Sequence, residues 1–73
     1  MSTMKEFDTA LLHAHGADLY MQNYYSDILV RCYNALSNTD KKKCRIFMDA
    51  FHTFLLKNVG MKQARHFANI YMK

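Results

Sequence analysis

Apolar residues return at three- and four-residue intervals along almost the whole chain, the spacing that gathers them on one side of an α-helix. The longest such stretch runs from Thr39 to Val59, where Cys44, Phe47, Met48, Phe51, Phe54, Leu55 and Val59 form one stripe. Ser37-Asn38-Thr39-Asp40 before it is a run of turn and N-cap residues. A helix is therefore expected over 39–59, with Lys41-Lys42-Lys43 in its first turn and Gly60 as its stop. Upstream, Thr3 and Glu6 have the T-x-x-E spacing of a capping box, and Met4, Phe7, Ala10, Leu11 and Ala14 follow on one line. That predicts a helix over 3–15, ended at Gly16 by a left-handed closing residue. The alternative, a single helix from Met4 to Leu36, would place Gly16 mid-helix at a cost of about 1 kcal/mol.

The stretch 17–36 is expected to be helical and carries two apolar lines. Met21, Tyr25, Ile28, Leu29, Cys32 and Leu36 make the main one, and Leu19, Val30 and Tyr33 lie on another side. A helix apolar on two sides is either central in its bundle or offers one side to a partner. Leu19, Val30 and Tyr33 are thus candidates for an apolar contact face, joined by Ile46, which falls nearly opposite the core stripe of the third helix. The last expected helix, 61–72, sets Met61, Ala64, Phe67, Ala68 and Tyr71 against Lys62, Arg65, His66, Asn69 and Lys73. The pattern as a whole predicts one all-α domain over 1–73, a bundle of three to four short helices. Its core is expected to be led by Phe7, Leu11, Ile28, Leu29, Phe47, Phe51, Leu55 and Phe67.

Composition narrows the class of protein. With 73 residues, no Pro, two Gly and 51% hydrophobic residues, the chain has too much apolar surface to stay disordered and few places to turn. So small a domain buries a modest core, which makes a homodimer an expectation. No apolar run approaches the roughly 20 residues that cross a bilayer, and the opening MSTMKEF has no apolar signal segment. The expectation is a cytoplasmic protein without membrane partners, its Cys32 and Cys44 reduced, with a disulfide between them as the minor alternative.

Charge changes the picture most. Residues 1–36 carry Lys5 and Arg31 against Glu6, Asp8, Asp18 and Asp27, a net −2. Residues 37–73 carry Lys41, Lys42, Lys43, Arg45, Lys57, Lys62, Arg65 and Lys73 against Asp40 and Asp49, a net +6. A basic half of this kind suits an acidic protein surface or nucleic acid, and in its plainest form is a solvated face. Lys41, Lys42, Lys43, Arg45, Lys62, Arg65, His66, Asn69 and Lys73 are the candidate anion- or partner-binding residues. Helix, glycine turn and basic last helix also resemble a helix-turn-helix pattern in part, with His66 and Asn69 where buried apolar residues belong.

Chemistry-bearing constellations are sparse. His13 and His15 are two apart and point to different sides of a helix, and neither the histidines nor the cysteines have chelating spacing, so no metal site is expected. There is no glycine-rich phosphate loop, no serine elbow and no carboxylate pair set in an apolar stretch. Cys44 and His52 could be paired as nucleophile and base, but Cys44 lies on the core stripe and His52 does not. The chain is read as having no catalytic residues and no cofactor. The leading expectation is a non-enzymatic regulatory or inhibitory protein that binds another protein. It would do so through its basic C-terminal half and the Leu19, Val30, Tyr33 face, and the alternative is a nucleic-acid-binding transcriptional regulator.

Overall fold

The computed structural model describes residues 3–72 and consists of four helices: α1 (Met4–Gly16), α2 (Gln22–Asn34), α3 (Asn38–Asn58) and α4 (Met61–Tyr71). They form a small all-α bundle in which α2 is central, packing against all three others. No described helix is long and apolar enough to cross a membrane.

The capping box forms as expected at the start of α1. Glu6 N–H donates to Thr3 Oγ1 and Thr3 N–H donates to Glu6 Oε1, each at 3.2 Å, which satisfies two donors left over at a helix start. The helix ends at Gly16, but not by left-handed closure: Gly60 is the only described residue with a positive φ. The Gln22 side chain takes over that task. Its Nε2 donates to the Ala14 carbonyl at 2.9 Å, so a buried amide from the next helix satisfies an end carbonyl of α1.

Helix α2 begins five residues later than the pattern implied. Asp18 explains the delay, because its carboxylate accepts the Met21 N–H at 2.9 Å and holds 17–21 as a turn. Leu19 and Tyr20 are exposed on that turn rather than on a helix face. Helix α3 begins earlier than expected, with Ser37 as its cap: the hydroxyl accepts the Asp40 N–H at 3.2 Å. Asp40 therefore occupies the first turn, where its charge complements the positive end of the helix dipole, and the three lysines fall just beyond it. Helices α3 and α4 are joined through Val59 and Gly60, whose N–H groups both donate to the Leu55 carbonyl, at 3.1 and 2.8 Å. Gly60 there has φ +158°, a conformation side chains resist.

The core contains Phe7, Leu29, Phe51, Leu55 and Phe67 as expected, all fully buried, with Leu11 and Ile28 packed at its edge. Phe47 does not belong to it and is 47% exposed. The buried line of α3 is Cys44, Met48, Phe51 and Leu55, and Phe47 is turned about 60° from Cys44 on the helix circumference. Val30 and Tyr33, expected on an outward face, are buried. Their side of α2 meets the rest of the bundle: the Tyr33 ring lies 6.3 Å from Phe7 of α1 and 5.5 Å from Tyr71 of α4. Of the two options for a helix apolar on two sides, the central position is the one realised.

Two polar side chains share that buried side of α2 with opposite consequences. Gln22 is paired, whereas the Ser26 hydroxyl is buried without a hydrogen-bond partner. Gln22→Ala should lower unfolding free energy by roughly 1–3 kcal/mol by orphaning the Ala14 carbonyl. Ser26→Ala should leave stability unchanged or raise it by up to about 1 kcal/mol, since it removes a desolvated hydroxyl. Urea denaturation followed by circular dichroism measures both.

Candidate anion-binding groove

Lys41, Arg45 and Asp49 are four residues apart on α3 and so project from one side of it. Opposite them stand Tyr33 from the end of α2 and Tyr71 and Met72 from the end of α4. These six residues line a hollow of about 440 Å³. A second hollow of about 300 Å³ shares Tyr33, Lys41 and Arg45 and is completed by Asn38 and Lys42. The two are one groove following α3, with Asn38 and Lys42 at one end and Asp49, Tyr71 and Met72 at the other.

Local structure fixes the walls. The Tyr33 phenol, on a buried ring, donates to the Lys41 carbonyl at 3.4 Å, linking the end of α2 to the start of α3. Tyr71 packs edge-on to Tyr33 at 5.5 Å and stacks on Phe67, also at 5.5 Å. Burial pushes the Tyr71 phenol up to about 12, helped by the neighbouring Tyr33 and by Asp49, while Arg45 pulls the other way. Tyr71 therefore remains a neutral hydrogen-bond donor throughout the physiological range.

The candidate residues divide accordingly. Lys41, Lys42 and Arg45 meet in the groove. Lys43 is exposed and lines neither hollow; its charge acts on the Cys44 thiol. Lys62, Arg65 and Asn69 are exposed on α4 and line neither hollow either. His66 is not a free member of that basic face. It is half-buried, with Nε2 within hydrogen-bond distance of Asp27 Oδ1 on α2, at 2.8 Å. Helix α4 turns this side toward α2, so His66 ties two helices together. Lys73 lies outside the described residues. Of the proposed apolar contact residues, Leu19 and Ile46 are 64% and 69% exposed, on the α1–α2 turn and on α3. With Val30 and Tyr33 buried, the four do not make one face.

Asn38, Asp49, Tyr71 and Met72 complete the groove and were not among the candidates. The four-residue spacing of Lys41, Arg45 and Asp49 was the available signal for Asp49; the other three enter through tertiary packing, which spacing within a helix does not report.

The remaining reactive groups are occupied by structure. Cys32 and Cys44 are free thiols. Cys44 is fully buried 3.4 Å from the Met4 sulfur, and burial, with Asp40 and Asp8 nearby, pushes its thiol up against a smaller opposing effect of Lys43. A thiol so placed is a poor nucleophile. His52 stacks on Phe67 at 6.2 Å. Among the described residues no group of three or more His, Cys, Asp or Glu side chains is placed to hold a metal ion. No family model, curated protein or solved structure matches the chain.

Tyr71 generates a pH prediction. Its folded-state value lies above the ordinary one near 10, so its stabilising contribution is complete below about pH 10 and is lost as pH rises toward 12. The Tyr71→Phe protein should lose less stability than the parent between pH 10 and pH 12. Denaturation midpoints across that window measure the difference.

Proposed function

We propose that this chain is a non-enzymatic regulatory or inhibitory protein that binds an acidic segment of another protein in the α2–α3–α4 groove. One observation carries the reading: Lys41 and Arg45 line a concave site with two phenols, Tyr33 and Tyr71, and Lys42 joins Lys41, Arg45 and Tyr33 in the adjoining hollow, where a flat basic surface would merely be solvated. Arginine offers a planar fork to a carboxylate, the lysines add mobile charges, and the tyrosines supply apolar walls with polar tips. These are the residue types that recur at protein contact sites, apart from the lysines, whose role is electrostatic. The partner-binding surface in this reading is the groove; of the Leu19, Val30, Tyr33 set only Tyr33 takes part in it, as a wall. The free thiols accord with a cytoplasmic protein.

A second reading rests on a different surface. Lys62, Arg65 and Asn69 are exposed at helical spacing on α4, a helix without an acidic residue, which suits the phosphates of a nucleic acid.

Lys41→Glu with Arg45→Glu separates the two. Fluorescence anisotropy with a labelled glutamate-rich peptide should show binding at least about tenfold weaker than the parent's, since two favourable charge contacts become repulsive. The circular dichroism spectrum should be unchanged. Peptide binding unaffected by the double change would overturn the groove reading. Duplex DNA retention abolished by Lys62→Ala and Arg65→Ala, with no peptide binding, would install the second.

A further inference from the structure

The groove is electrically lopsided, and that constrains what fits it. At the Asn38 end, Lys42, Lys41 and Arg45 surround the hollow; at the other end Asp49 stands beside Tyr71 and Met72. Among the described residues Asp49 makes no ion pair, although Arg45 lies one helical turn away. Asp49 is exposed and lines the hollow, so its carboxylate is accessible to a ligand lying there. A uniformly acidic ligand lying the length of the groove would set a negative charge against Asp49. A ligand confined to the cationic end would leave the Tyr71–Met72 wall unused.

Building on the groove reading above, we propose that the ligand is an extended, bipolar peptide segment. Its anionic group sits among Lys41, Lys42 and Arg45, an apolar side chain lies against Tyr71 and Met72, and a basic residue faces Asp49.

The spacing follows from the helix. Lys42 and Asp49 are seven residues apart on α3, which is about 10 Å of helix axis. An extended chain covers that distance in about three residues. The acid and base of the ligand are therefore separated by about three positions, with the apolar residue between them. Met72 is 67% exposed, and its unbranched side chain suits an apolar partner of variable shape. Tyr71 is neutral and so adds a donor without adding charge. The anionic group is either a carboxylate or a phosphorylated side chain; both offer oxygens to Arg45 and the lysines.

The full-length protein is tested by fluorescence anisotropy against labelled peptides with acid and base three positions apart around a leucine, in both chain directions. A uniformly acidic peptide of the same length and a phosphoserine version of the bipolar one complete the set. One of the two bipolar directions should bind about tenfold more tightly than the acidic peptide at low salt. Asp49→Lys should invert that order. The phosphoserine version binding more tightly than its aspartate counterpart identifies phosphate as the anion, and the reverse identifies carboxylate. If the acidic peptide binds as well as either bipolar one, and Asp49→Lys leaves the order unchanged, the bipolar inference fails while the groove reading survives. If no anionic peptide responds to Lys41→Glu with Arg45→Glu, the groove reading itself fails.

Discussion

The structure depends on a series of aromatic contacts that passes through all four helices. Phe7 of α1 meets Tyr33 of α2, Tyr33 meets Tyr71 of α4, Tyr71 stacks on Phe67, and Phe67 meets Phe51 of α3, with ring centroids 5.0 to 6.3 Å apart. His15 closes the path back to α1, 5.1 Å from Phe51. Each such contact contributes about 0.5–1.5 kcal/mol beyond the area it buries. In a 73-residue chain with two free thiols, these rings concentrate the burial that larger domains spread over many aliphatic side chains. Gln22 and His66 add polar ties at the edges, one to the end of α1 and one between α2 and α4.

The same series shapes the groove. Tyr33 and Tyr71 belong both to the core and to the groove wall, so the geometry offered to a ligand is held by the interactions that hold the fold. Lys41 and Arg45 are placed by α3, whose start is fixed by the Ser37 cap, and Lys41 is bonded through its carbonyl to Tyr33. The basic half of the sequence is thereby divided into a concave cluster on α3 and an exposed line on α4. Charge by itself does not distinguish these two surfaces; concavity and the presence of aromatic walls do.

Helix number and type were legible from spacing, because Phe7, Phe51 and Leu55 repeat with the period of the helix that buries them. The Thr3–Glu6 capping box was legible because its chemistry is local. Gly16 was readable as an end but not in its manner of ending, since the group that satisfies the Ala14 carbonyl comes from Gln22, eight residues on. Tyr33 and Val30 were misplaced because two apolar lines on one helix look the same whether the second meets α4 or a partner. His66 lay on the polar side of its own helix, and only the neighbouring α2 revealed Asp27 as its partner. Lys41, Lys42 and Arg45 were visible as charges; the wall that turns them into a site, Tyr71 and Met72, is contributed from about thirty positions away along the chain.

The central claim is that the concave cluster, and not the basic line of α4, is the binding surface. Amide chemical-shift mapping of the full chain during titration with an acidic peptide tests it most directly. The account predicts shifts concentrated at Tyr33, Lys41, Lys42, Arg45, Asp49 and Tyr71, the residues that line the groove. Shifts centred on Lys62, Arg65 and Asn69, with the groove residues unmoved, would contradict it.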